Sequence, residues 1–325
     1  MKKHYVFLTC VTMLFVCAHT QAAMSIDGNA SDWSGILVNL DAQDRTYALD
    51  VMGWGAVVEG DTAYFAQTLK YSMWDYFNYN QTGMVWMNAW INLDNDIASG
   101  FEGWQMENLG WEDDGIDIGV EVGARDYSGD PWTISLYYTC GDDDNYQDCS
   151  GSFAFSADGK FLEWSAPVSE LISAAVANLA VDDRGYGTIN QTLAADSSNW
   201  QVGMRIDGSD SVLGVYYAHQ ASEIEGHEGL VNLPIVPGDA DLDHDVDLDD
   251  LGALADNWGT TTGGTTLMGD FDCDGDVDLD DLGKLADNWG TTASGDPVNT
   301  APEPATMILL GFGGLTLLKR KCRSR

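Results

Sequence analysis

The 325-residue chain is short of positive charge. It holds 14 Lys and Arg against 52 Asp and Glu, a net charge of −38. Half of those basic residues sit at the extreme ends, as Lys2, Lys3, Lys319, Arg320, Lys321, Arg323 and Arg325. Nucleic acid is excluded as a partner, because phosphate contacts need clustered Lys and Arg. Histidine is scarce, and outside the N-terminal stretch only His219, His227 and His244 remain. No Gly-x-Ser-x-Gly elbow and no His-Glu-x-x-His pair occurs, so His-based catalysis has no support. A glycosidase needs two carboxylates flanking a cleft, but acids are so abundant that their presence discriminates nothing. No apolar run reaches the twenty or so residues of a membrane span.

The two longest apolar runs lie at the ends. Residues 1–23 read as a secretory signal: Lys2 and Lys3, a mostly apolar run from Tyr5 to Ala18, then small residues before the cleavage point. A membrane anchor is the alternative. Of six cysteines, Cys10 and Cys17 leave with that segment. Cys140 and Cys149 flank an Asp/Asn-rich loop and are expected either to form a local disulfide, as an oxidising compartment allows, or to stay as free thiols. At the other end, the Thr-, Ser-, Gly- and Pro-rich stretch 293–301 reads as a linker.

What the chain has in abundance is aspartate, arranged in a duplicated pattern. Residues 239–250 read DADLDHDVDLDD, and residues 270–281 read DFDCDGDVDLDD. Near-identical stretches follow, Leu251 to Gly259 and Leu282 to Gly290, so this is an internal repeat. A hard cation such as calcium takes about six to eight oxygen ligands, and a loop of about twelve residues supplies them from positions 1, 3, 5, 7, 9 and 12. Those positions are Asp239, Asp241, Asp243, Asp245, Asp247 and Asp250 in one copy. In the other they are Asp270, Asp272, Asp274, Asp276, Asp278 and Asp281. Two calcium ions are therefore expected. Position 6 has to turn sharply, and Gly275 suits it better than His244. After each loop a helix is expected. Leu251, Leu254, Ala255 and Trp258 share one face, as do Leu282, Leu285, Ala286 and Trp289, with Gly259 and Gly290 as stops. A disordered acidic linker would need neither the ligand period nor the apolar face.

These two loop–helix units resemble a type I dockerin over residues 237–292. The resemblance implies a small all-α, calcium-folded module and a cohesin-like protein partner. Dockerins use loop positions 10 and 11 to choose that partner. Here they hold Leu248-Asp249 and Leu279-Asp280 in place of a small hydroxylated pair, so calcium binding carries over better than cohesin recognition. The C-terminus, residues 302–325, resembles a PEP-CTERM sorting signal: Pro302-Glu303-Pro304, the apolar stretch Ala305–Leu318 and a basic tail. It implies an exosortase as partner, transient membrane anchoring and a place at the cell surface or beyond. A permanent C-terminal anchor would share that location.

Residues 24–236 read as mainly β, a sandwich or barrel, with strands expected at 61–69, 84–93, 116–122, 132–138, 160–166 and 212–218. One helix is expected at 168–178, with Ser169 as its cap. The opening Ile26–Trp33, then Asp61–Phe65, Trp90–Asp96, Gly115–Glu121 and Phe161–Pro167, resemble in this order the β-sandwich of family-nine carbohydrate-binding modules and DOMON-like domains. That implies a binding domain, often for sugars. Flat indoles stack on pyranose faces. Trp104 and Trp111, in the Gly-rich segment 100–115, are the ligand-binding candidates, with core positions as the alternative. Trp86, Trp90 and Trp164, inside strand-like runs, read as core. Asp94, Asp96 and Glu102 allow either a third calcium or an ordinary Asx turn. The sequence favours a non-catalytic protein binding carbohydrate or an extracellular matrix component. A structural matrix protein and a glycoside-active enzyme remain as the other readings.

Overall fold

The computed structural model describes residues 23–40, 51–74, 83–101, 115–125, 133–139, 147–180, 185–210, 215–220, 223–224, 227–228 and 230–292. Trp104, Trp111, Glu102 and Cys140 lie outside these, as do nearly all of the N-terminal signal, the linker and the C-terminal tail.

The fold is mainly β. One sheet is built from β1 (Val51–Glu59), β2 (Thr62–Leu69), β6 (Ser152–Phe155) and β7 (Phe161–Pro167), in the order β1-β2-β7-β6. The other is built from β3 (Gly83–Asn92), β4 (Ile118–Arg125), β5 (Thr133–Thr139), β8 (Gln201–Asp210) and β9 (Val215–Gln220). Its order is β9-β8-β3-β4-β5, extended by the short strand Gln147–Asp148. Neighbours in both sheets pair antiparallel.

Strict alternation sends every second residue to the core between the sheets. From the first sheet come Ala63, Phe65, Leu162, Trp164 and Ala166. The second sends Val85, Met87, Ala89, Ile91, Ile118, Val120, Val122, Val202, Met204 and Ile206. Gln67, also buried, donates from its side-chain amide Nε2 to the Arg205 carbonyl at 3.0 Å, a polar tie from one sheet to the other.

The outer face of the first sheet is covered by the segment before β1. Glu163 is buried there and holds it down. Its carboxylate accepts from Asp27 N at 2.7 Å, Gly28 N at 2.5 Å and Trp33 Nε1 at 2.9 Å. Three donors satisfy a carboxylate that would otherwise be costly to bury. Gly28 is required where it stands: its φ is +79°, and a Cβ would lie 2.4 Å from the Phe155 carbonyl oxygen.

Five of the expected strands lie within two residues of their observed starts, and the sixth, expected from 212, starts at Val215. The strands β1, β6 and β8 were not anticipated. β1 is interrupted by Gly53 and Gly55, where the covering segment and the acidic module approach: a Cβ at Gly55 would meet Ile36 O at 3.0 Å and one at Gly53 would meet Cys273 at 3.1 Å. The helix α1 (Val168–Leu179) forms as expected, but Ser169 does not cap it. Asp61, in the β1–β2 turn, accepts from Ser169 N and Oγ, each at 2.9 Å. The cap is tertiary, so no local pattern could reveal it.

The acidic repeats form two loop–helix units, with α2 (Leu248–Asn257) and α3 (Leu279–Asn288). Gly259 and Gly290 follow with φ of +88° and +75°, left-handed stops as expected. Each loop is closed by the tail of the other helix. Val246 donates to Thr291 O and accepts from Gly290 N, while Val277 donates to Thr260 O and accepts from Gly259 N. Leu254, Phe271, Val277, Val246 and Leu285 bury a small core of their own. Thr291 and Thr292 thus belong to this unit. Among the described residues no helix is long and apolar enough to cross a membrane.

Candidate functional site

In each acidic loop the first and last carboxylates are buried and the middle ones face solvent. Asp239, Asp250, Asp270 and Asp281 are all at most 1% exposed. The last one builds the helix start. Asp250 Oδ2 accepts from Asp247 N at 2.6 Å while Asp247 accepts from Asp249 N, a reciprocal capping box repeated by Asp281 and Asp278. The first one shapes the turn. Asp239 accepts from Asp243 N and His244 N, and Asp270 from Gly275 N. His244 adopts φ +76° and Gly275 φ +89°, so both copies make the turn at position 6.

Three groups of carboxylate oxygens converge to within 4.8 Å: Asp239 with Asp241 and Asp250, Asp270 with Asp272 and Asp274, and Asp276 with Asp278 and Asp281. Asp243, Asp245 and Asp247 are not brought into such a group. Burial first, and neighbouring carboxylates next, push Asp239 and Asp270 up to about 7 and Asp272 up to about 6. Asp270 Oδ1 is buried with no hydrogen-bond partner. An all-oxygen, strongly anionic donor set with an orphaned buried oxygen fits a hard cation. The clusters can hold a metal ion.

Among the described residues, Asp94 and Asp96 of the turn after β3 do not join such a group, and Glu102 lies outside them. Asp94 Oδ1 accepts from Asp96 N at 3.2 Å and Oδ2 from Asn190 N at 2.5 Å, and Asp96 accepts from Ala98 N. Backbone donors engage these oxygens as in an Asx turn. Below it, Asp117 is fully buried, accepts from Leu93 N and Ser99 Oγ, and is pushed up to about 8 by burial. Cys149 carries a free, half-buried thiol, raised by burial, and accepts from Gly151 N.

A second site lies on the outer face of the second sheet. The register aligns Arg205 of β8 with Asn88 of β3, Asn88 with Glu121 of β4, and Glu121 with Tyr137 of β5. Directly paired residues share a face, so four polar side chains form one band across four strands. All are buried, between 2% and 7% exposed. Tyr137 donates its hydroxyl to Glu121 Oε1. Trp86 and Trp90 flank Asn88 on the same face. Trp90 lies over Gly119, where a Cβ would come within 2.7 Å of its ring, and the Tyr137 hydroxyl lies over Gly123. Among the described residues, Trp86 Nε1, Asn88 Oδ1 and Trp90 Nε1 are buried with no hydrogen-bond partner. Three successive outward positions of one strand thus present unused polar atoms.

Trp164 and Trp90 are buried as expected, Trp164 in the main core and Trp90 in a separate small hydrophobic cluster with Ile116, while Trp86 is half-buried. The polar band was missed. Its signal was Trp86-x-Asn88-x-Trp90-x-Asn92, polar and aromatic on one side of a strand whose other side is wholly aliphatic.

Residues 300–323 match the PEP-CTERM protein-sorting motif. The chain carries a surface-sorting signal. That motif marks the chain as secreted and surface-sorted and implies recognition by an exosortase. No curated protein matches the chain. Among solved structures, a family 9 carbohydrate-binding module from Caldicellulosiruptor kristjanssonii, in complex with glucose, aligns at 11% identity. It covers 61% of this chain and 81% of that one, with a TM-score of 0.29, too low to equate the folds.

Proposed function

We propose that this is a surface-sorted, non-catalytic carbohydrate-binding protein with an accessory calcium-folded, dockerin-like module. The carrying observation is the unpartnered row Trp86 Nε1, Asn88 Oδ1 and Trp90 Nε1, set beside the Arg205–Asn88–Glu121–Tyr137 band. A sugar hydroxyl both donates and accepts. Indole N–H groups, an amide oxygen, a guanidinium and a carboxylate on one face therefore suit a polyhydroxylated ligand. The nearby rings suit its apolar C–H face. The band holds one cation and one anion, which favours a neutral sugar over a charged one.

In the acidic module we assign one calcium to each loop, Asp239–Asp250 and Asp270–Asp281, and none to Asp94 and Asp96. The oxygen-only ligands and the buried Asp270 Oδ1 support that assignment. A protein partner for the module remains the second reading. Leu248 and Leu279, at the first residue of each helix, are 64% and 68% exposed, and Trp258 is 51% exposed. Such surface leucines favour an apolar patch on the partner.

The test is binding of the mature chain to insoluble polysaccharides and a soluble glycan panel, in calcium and in EDTA. Saturable binding to one sugar class supports the reading. Absence of binding to every glycan, with the protein folded, moves the function to assembly with other proteins.

A further inference from the structure

The second acidic loop is wired into the β-sheet region, and the first is not wired the same way. Asn39 lies just before β1 and is buried, at 1% exposed. Its backbone N–H donates to Thr266 Oγ1 at 2.8 Å, and its carbonyl accepts from Thr266 N at 2.7 Å. The same hydroxyl donates onward to the carbonyl of Asp270, position 1 of the loop, at 3.4 Å. The Asn39 amide donates to Gly264 O at 3.1 Å, and Gly264 N donates to the carbonyl of Gly275, position 6, at 2.9 Å. Asn39 is thus two bonds from both backbone positions that shape the loop. On its other side Val38 exchanges two hydrogen bonds with Trp54 of β1, at 2.7 and 2.8 Å. The Cys273 thiol packs against Gly53 and donates to Leu37 O at 3.5 Å. Lys284 of α3 donates to Ser34 Oγ at 2.7 Å. At the spacing of Thr266 before its loop, the first copy has Ile235, which has no hydroxyl to relay.

We propose that the loop Asp270–Asp281 is a calcium-dependent clamp: ion binding there stabilises the Ser34–Asn39 segment and, through Val38 and Trp54, the first sheet. This rests on the calcium reading of the module. The coupling is reciprocal by linkage, so a contact to Asn39 tunes the affinity of the second site directly and reaches the first only through the bonds of Val246 and Val277.

The test uses the mature chain with calcium ions as the probe. Calorimetric titration reads stoichiometry and the two affinities. Near-ultraviolet circular dichroism reads the sheets, because Trp33, Trp54 and Trp164 are fully buried there. Far-ultraviolet dichroism reads the helices. The clamp predicts that EDTA lowers the near-ultraviolet melting temperature together with the helical one. Thr266→Val, which removes the relay hydroxyl, should weaken one calcium site roughly ten-fold and the other much less. Asn39→Ser, which keeps the backbone contacts, serves if the valine variant does not fold, with a smaller loss at the same site. Calcium bound at two sites with an identical sheet melt in calcium and EDTA overturns the clamp and leaves the calcium reading standing. Equal affinities in wild type and variant also overturn it. Failure to bind calcium at all overturns both.

Discussion

Removing calcium from residues 237–292 should unfold the two loop–helix units at neutral pH. Carboxylate oxygens in each group lie within 4.8 Å of one another. A pair of ionised carboxylates at that separation repels by about 3.5 kcal/mol at an effective dielectric near 20, and by about 1 kcal/mol in water. The second loop carries two such groups of three, so full ionisation costs somewhere from roughly 5 to roughly 20 kcal/mol. A unit of this size has only about 3–8 kcal/mol of stability to oppose it, at roughly 0.05–0.15 kcal/mol per residue. The ion-free loops therefore either open or take up protons. Asp239 and Asp270 are pushed up to about 7, above the 3.8 of an exposed aspartate. A raised carboxyl pKa gives the metal-free fold stability that is present below about 4 and lost as pH rises through about 7. Helical ellipticity in EDTA should thus be lost at roughly pH 8 and recover on acidification, while calcium preserves it at the higher pH. Equal ellipticity and melting with and without calcium at neutral pH would refute the metal assignment and the Coulomb argument together.

Other expectations are as direct. Glu163→Ala orphans Trp33 Nε1 and two backbone donors. At about 1–3 kcal/mol for the buried Trp33 Nε1 and less for the part-buried backbone donors, thermal denaturation should show a loss of roughly 2–3 kcal/mol. A loss below ~1 kcal/mol would contradict the role assigned to Glu163. For Asp117, raised to about 8 by burial, stability is full below about 4 and declines up to about pH 8. Asp117→Asn copies the protonated form, so the pH–stability profile should flatten over that window; an unaltered slope would contradict the argument. Asp61→Ala should cost about 1 kcal/mol by uncapping α1, read as an urea midpoint shift, whereas Ser169→Ala should cost less.

The repeats were legible because the carboxylate spacing and the helix periodicity are local, exact-spacing patterns. Both helices and both glycine stops could be read from adjacent residues, and nine of the twelve expected carboxylates fall into converging groups. The strands were legible where alternation was clean, as in β3 and β4. β1 was not, because Gly53 and Gly55 answer to partners far along the chain, Cys273 and Trp33. The Asp61 cap and the Asn39–Thr266 contact were invisible for the same reason. The polar band failed differently. Its tryptophans were noticed, but a strand buried on both faces hides which face is core. Only the register, placing Arg205, Asn88, Glu121 and Tyr137 side by side, separates the polar face from the aliphatic one.

The most direct test of the account is a tryptophan-fluorescence titration of the mature chain and of Asn88→Ala with the glycan that the panel selects. Trp86 and Trp90 flank Asn88, so sugar entering the band should change their emission saturably. Losing the Asn88 acceptor should weaken binding roughly ten-fold with the melting temperature nearly unchanged. Saturable binding with the same affinity in the variant would place the sugar elsewhere and contradict the assignment of this face.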